Sequence, residues 1–208
     1  MLKRKWLGLS ALALLLTGCA EEQTRPVAKQ AEAAPLEKKD VYVPNPQVTD
    51  DRKLLTPGQS VADRKGELTL KKINQTERKI TVGPVELTVH DEKVFHARPD
   101  YGMIDFFHGF THDESFDVWK TRVTVRNTGD EPVRFNPVAH VFLGKEEKTL
   151  EDDIYLEGLG KELAPHEKRT GNIGFIVEQE PKTVEWWTSD AVDGYKKSIE
   201  KGKQIPVK

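Results

Sequence analysis

The chain reads as an all-β protein, an antiparallel β-sandwich set behind an export signal and a disordered tether. Three observations lead there. From about Ser60 onward, apolar and polar residues alternate with period two, as half-buried strands require. Clusters of turn-forming residues punctuate these short runs. Before Ser60 the composition is Glu, Gln, Lys, Ala and Pro, which cannot build a core.

In chain order, Lys3, Arg4 and Lys5 form a positive start, and Trp6 to Leu16 an apolar stretch. That stretch is too short for a bilayer core of about 30 Å, which takes roughly 20 helical residues. It has the size of the apolar region of an export signal, which plays no part in the fold. Residues 1–18 are therefore set aside.

Residues 19–60 read as a tether. Pro26, Pro35, Pro44, Pro46 and Pro57 interrupt any helix, and Tyr42 is the only aromatic. A coil of about 40 such residues reaches roughly 35 Å.

Residues 61–190 carry the strands. Glu67-Leu68-Thr69-Leu70-Lys71 and Val85-Glu86-Leu87-Thr88-Val89-His90 alternate. Trp119, Thr121, Val123 and Val125 share one face, and Lys120, Arg122, Thr124 and Arg126 form a wet one. Phe116 and Val118 break that phase, which predicts a bulge or a covered end. Asn127-Thr128-Gly129-Asp130-Glu131-Pro132 is a turn by its chemistry. Val133, Phe135, Ala139, Val141 and Leu143 continue a return strand that Pro137 interrupts. Strands over 171–178 and 183–188 follow. Adjacent Trp186 and Trp187 must point to opposite faces, one into the core and one outward. In the tail, 191–208, a short helix is expected over Ala191 to Gly202.

Composition bounds function. The formal net charge is −2, and loss of Lys3, Arg4 and Lys5 with the signal takes it to about −5. Nucleic acid wants a basic footprint, so no nucleic-acid partner is expected. Cys19 is the only cysteine, which rules out an internal disulfide. There is no G-x-S-x-G elbow, H-E-x-x-H pair or P-loop. The expectation is a non-enzymatic domain without a cofactor.

Leu16-Thr17-Gly18-Cys19 closely resembles the lipobox of bacterial lipoprotein signals. The resemblance implies that the Cys19 thiol is lipidated and that the chain is cut before it. Two acyl chains hold stably where one holds marginally. The implied location is the extracytoplasmic face of the cell membrane, with the membrane itself as one partner.

A second resemblance rests on Val123-Thr124-Val125-Arg126-Asn127-Thr128-Gly129-Asp130-Glu131-Pro132-Val133 and on Leu163-Ala164-Pro165-His166-Glu167. These look like the strand end and later turn of an immunoglobulin-like domain of unknown function, common in lipoproteins of Gram-positive bacteria. Val82-Gly83-Pro84-Val85-Glu86-Leu87-Thr88-Val89 fits its opening strands. His166 stands where that family usually has glycine, which leaves the turn type open. The resemblance covers roughly Leu68 to Ser189 and implies the fold and the location, but no activity.

Two segments carry candidate sites. Phe95 to Phe116 holds Tyr101, Met103, Ile104, Phe106, Phe107 and Phe110 among His96, His108 and His112. It is either an aromatic binding loop or a connection whose rings cap the core. Tyr101, Phe106, Phe107, Phe110 and Trp187 are the candidate contacts for an envelope protein or polymer. The alternative is a small-ligand or metal site in 95–116. His108 and His112, four apart and near Asp113, would face zinc together on a helix, but Gly109 and Thr111 disfavour one. Glu151-Asp152-Asp153 with Glu157 lacks the EF-hand spacing and reads as a solvated acidic loop.

Overall fold

The computed structural model describes residues 43–206. The expected signal over residues 1–18, Cys19 and the tether up to residue 42 lie outside them. Within them the chain is an all-β antiparallel sandwich. Its strands are β1 (Ser60–Asp63), β2 (Gly66–Asn74), β3 (Arg78–Val82), β4 (Val85–Pro99), β5 (Phe116–Asn127), β6 (His140–Leu143), β7 (Glu146–Lys148), β8 (Lys168–Val177), β9 (Val184–Trp187), β10 (Ala191–Val192), β11 (Ser198–Glu200) and β12 (Gln204–Ile205). One helical turn, α1 (Ile104–Phe107), joins β4 to β5.

The larger sheet runs β1-β2-β4-β5-β8, with β3 also paired to β4. The smaller runs β12-β9-β6-β7, and β10 and β11 form a separate pair. Between the two larger sheets lies a hydrocarbon core. Leu87, Val89, Val94, Val123 and Val125 face Val138, Val141, Leu143 and Trp186. Trp119 stacks on Phe175 with centroids 6.0 Å apart and meets Trp186 edge-on at 5.9 Å.

Period-two alternation holds on β5, where Trp119, Thr121, Val123 and Val125 are all buried. The irregularity expected near Phe116 falls elsewhere. Strand β5 is continuous, and the register shift sits in its partner β4, between Val89 and Asp91. Phe116 and Val118 belong to a second core on the other face of the sheet, with Leu68, Leu70, Phe95 and Phe107. The covered end is thus real and the bulge on β5 is not.

What covers that face corrects the tether boundary. Within 45–54, Asn45, Val48, Thr49, Asp51 and Leu54 are buried against the sheet. Polar partners hold this strap as much as apolar ones. Asn45 Nδ2 donates to the Tyr155 carbonyl (2.8 Å) and to Glu157 Oε1 (2.9 Å). Thr49 Oγ1 donates to the Gly66 carbonyl at 3.0 Å. Asp51 Oδ2 accepts from Lys93 Nζ (2.8 Å) and Lys120 Nζ (3.2 Å). Lys120, expected on a wet face, is only 2% exposed because the strap lies over it. Composition misleads here, since a few partnered polar residues are buried where a disordered chain would leave them wet.

The return strand is also shorter than expected. Val133 and Arg134 make isolated bridges to Leu163 and Val192, and the strand proper is only β6. Across Pro137 the phase slips, so Val138 rather than Ala139 enters the core. Among the described residues the tail forms no helix. Ala191 and Ile205 join the sandwich core, and β10–β12 carry the chain back along it. Residues 191–202 lack the apolar stripe of period 3.6 that would hold a helix.

The two turns behind the family resemblance meet through one side chain. Asn127 is fully buried. Its Nδ2 donates to the carbonyls of Glu131 (2.7 Å) and Ala164 (3.1 Å), and its Oδ1 accepts from Gly129 N at 2.9 Å. His166 sits at φ 58, so the left-handed position of the turn is kept without glycine. Its Nε2 lies 3.0 Å from Asp130 Oδ1 in the opposite turn.

Candidate functional site

The aromatic segment divides between core and surface. Phe95 is fully buried and Phe107 and Phe116 nearly so, while Tyr101 is 89% exposed and Phe110 37%. Local chemistry explains the division. Asp100 caps the turn Tyr101–Met103, its side chain accepting from Gly102 N. One helical turn follows and closes when the N–H groups of His108 and Thr111 reach back to Ile104 and Phe107 carbonyls. Rings then run from inside outward: Phe116 to Phe107 at 5.1 Å, Phe107 to Phe106 at 4.9 Å, Phe106 to Phe110 at 5.5 Å. Of the candidates, Phe107 is a core anchor, Phe106 an intermediate, and Tyr101 and Phe110 the presented rings.

Trp187 does not join them. Trp186 occupies the sandwich core, donating Nε1–H to the Pro137 carbonyl at 2.7 Å. Trp187 points to the outer face of the smaller sheet, edge-on to Phe142 at 5.9 Å.

Of the histidines, His108 and His112 do come together, their rings stacked 5.7 Å apart. Asp113 turns to Thr111, whose Oγ1 lies 3.3 Å from its Oδ2. Among the described residues, no group of three or more His, Cys, Asp or Glu side chains is arranged to hold a metal. His96 is drawn away to Asp117 Oδ1 at 3.0 Å, beside Lys71.

Beneath the loop lies a cavity of about 20 Å³, lined by Phe95, Phe107, Phe116, Val118 and Tyr155. That is room for about one water, and among the described residues the buried Tyr155 hydroxyl has no hydrogen-bond partner. Burial, with Asp51 and Glu157 nearby, pushes this phenol well above its usual range.

The acidic cluster divides: Glu151 and Asp152 are exposed, as a solvated loop requires, while Asp153 is buried and Glu157 partly so. Thr149 and Asp152 form a capping box. Asp153 is buried and accepts from the N–H groups of Tyr155, Leu156 and Gly174 at 2.9–3.1 Å. Burial pushes its carboxyl up to about 6 against those three donors. Glu157 binds Asn45 of the strap and Asn172 of β8.

One hydrogen-bonded chain has the residue types of a nucleophile relay. Glu77 Oε2 is 3.3 Å from His90 Nδ1, and His90 Nε2 is 2.7 Å from Thr124 Oγ1, which also meets Thr170 Oγ1 at 2.8 Å. It crosses the outer face of the larger sheet. A relay needs donors aimed at a developing oxyanion, whereas β4, β5 and β8 pair with one another along this row. The arrangement reads as a cross-strand polar ladder.

A family model described as a domain of unknown function, DUF4352, matches residues 58–196. The chain belongs to the DUF4352 family. The match begins just after the strap and includes the aromatic loop. The uncharacterized protein YdhF of Bacillus subtilis (strain 168) is 36% identical over 234 aligned positions, covering 99% of each chain. Among solved structures, a functionally unknown protein from Listeria monocytogenes EGD-e aligns with a TM-score of 0.48 at 8% identity, over 68% of this chain and 87% of that one. A conserved hypothetical protein from Bacillus anthracis aligns with a TM-score of 0.35 at 14% identity, over 70% of this chain and all of that one.

Proposed function

We propose that this DUF4352 protein is an extracytoplasmic lipoprotein, anchored through lipid on Cys19, whose β-sandwich is a non-enzymatic interaction module of the cell envelope. Its contact surface is the loop 100–112. The observation that carries this reading is the loop's construction. Phe107 and Phe116 fix its base in the second core, and Tyr101 and Phe110 are held outward from that base. Rigid exposed aromatics bring contact area at low conformational cost, which suits binding hot spots. The Leu16-Thr17-Gly18-Cys19 motif supports the location.

Two measurements test the two halves. Membrane fractionation of Cys19→Ser under a high-salt wash should move the protein to the soluble fraction; retention in the membrane contradicts the anchor. Pull-down from solubilised envelopes with wild-type and Tyr101→Ala/Phe110→Ser chains should recover a protein or polymer that the double variant loses. Equal recovery contradicts the loop as the contact surface.

A further inference from the structure

A second concave site lies away from the aromatic loop. The inner face of the larger sheet at Asn74, Val94 and Trp119 and the approach to β9 at Pro181 and Val184 line a cleft of about 600 Å³. Small-molecule sites run from roughly 300 to 1,000 Å³. Its lining is mixed: Val94, Trp119, Pro181 and Val184 supply the apolar part, and two acids, Glu92 and Glu185, line it. Glu92 is 7% exposed and faces between the sheets, two residues from Val94.

The Glu92 carboxylate is half used. Arg78 Nη2 reaches Oε2 at 2.8 Å, and Asn74 Nδ2 donates to the same oxygen at 3.3 Å. Oε1 has no partner. A planar guanidinium and a carboxylate ordinarily pair through two bonds; this pair is offset and makes one. An unpartnered acceptor in a buried position is costly, so the cleft is short of one hydrogen-bond donor.

Charge decides what kind of donor. Arg78 already balances Glu92, and Lys72, Lys182 and Glu185 also line the cleft. An ammonium would enter a cleft where the two lysines already outnumber Glu185. A hydroxyl or amide N–H supplies the hydrogen without the charge. We infer that this cleft is a binding site for a small neutral molecule with an apolar body and one hydroxyl or amide donor, seated with the donor on Glu92 Oε1 and the body against Val94, Trp119 and Val184. The site is independent of the aromatic loop and of lipid anchoring.

Protein-observed NMR on the full chain tests it, with benzyl alcohol and benzamide as donor probes and methyl benzoate and benzylamine as controls. The donor probes should shift resonances of Asn74, Val94 and Val184 and the Trp119 indole N–H. They should bind about tenfold more tightly than either control, the effect of one hydrogen bond to a charged acceptor. Val184→Trp, which fills the cleft, should abolish these shifts while the rest of the spectrum remains folded. A second, smaller variant, Val184→Phe, should weaken binding in the same direction and serves if Val184→Trp fails to fold. The inference is overturned if the probes leave these residues unmoved, if methyl benzoate or benzylamine binds as well as the donor probes, or if binding survives in the folded cleft-filling variant.

Discussion

The two faces of the larger sheet are closed by different means. The inner face meets the smaller sheet through hydrocarbon, with Leu87, Val123 and Val125 fully buried and Trp119 stacked on Phe175. The outer face is closed by the strap, and charge lies at the centre of the contact. Asp51 sits between Lys93 and Lys120, and Lys120 continues to Asp91 at 3.3 Å and thence to Arg122. Hydrocarbon packing tolerates many sequences of the right volume. A buried ion cluster has one satisfied arrangement and is expensive in any other. The inner face therefore supplies bulk stability, while the strap can seat in only one register.

The largest effect that would break this comparison comes from Asp51→Ala. It leaves the buried Lys93 ammonium without a carboxylate and Lys120 with Asp91 alone, and should cost about 3–5 kcal/mol, read as a fall in denaturant midpoint. The triple change Asp51→Leu, Lys93→Met and Lys120→Met should recover most of that loss, since apolar replacement of a whole buried cluster is often neutral. If the single variant is neutral, the strap is not held by charge.

Next comes pH. Burial tends to raise Asp51, but Lys120 and Lys93 hold it below the usual carboxylate value. Its stabilisation is present above the unfolded value near 3.8 and is lost as pH falls below that. Asp153 has the opposite sign. Raised to about 6 when folded, it stabilises fully below its unfolded value and loses that contribution as pH climbs from about 4 through 6. The size is on the order of 2–3 kcal/mol. Chemical denaturation between pH 4 and 7 should show this decline, and Asp153→Asn should flatten it.

Smaller again is Asn127→Ala. Removing the side chain leaves the Glu131 and Ala164 carbonyls and the Gly129 N–H without their partner. A cost of about 2 kcal/mol is expected, with the two turns losing amide-exchange protection together. The smallest effect sharpens the picture. His166→Gly relieves the left-handed backbone but gives up the surface pair with Asp130 and adds unfolded-state entropy. A net gain of about 0.5–1 kcal/mol is expected in thermal unfolding.

Much of the inner face was legible because its residues obey a single period. Trp119 to Val125 alternate cleanly, and adjacent tryptophans on a strand can only part, as Trp186 and Trp187 do. The outer face was not legible, for a physical reason. Its cover comes from a segment rich in Pro, Asp and Asn, and burial of Asp51 and Lys120 depends on partners 69 residues apart that no local pattern announces. Only Val48 and Leu54 hinted that the tether ends before residue 60. The candidate loop was half legible: the density of rings marked it, but which ring faces inward depends on the Asp100 cap and the single turn after it. Glu92 was invisible as a site residue, since one Glu in a strand of alternating character differs from its neighbours only once Arg78 and the cleft are in place.

The functional account turns on whether Tyr101 touches something in the envelope. A photo-crosslinking amino acid placed at position 101 of the full chain in intact cells, with position 79 on β3 as control, measures this directly. A discrete adduct from position 101 alone, lost when Phe110→Ser is added, is the predicted result. Adducts of equal yield from both positions, or none from 101, would contradict it.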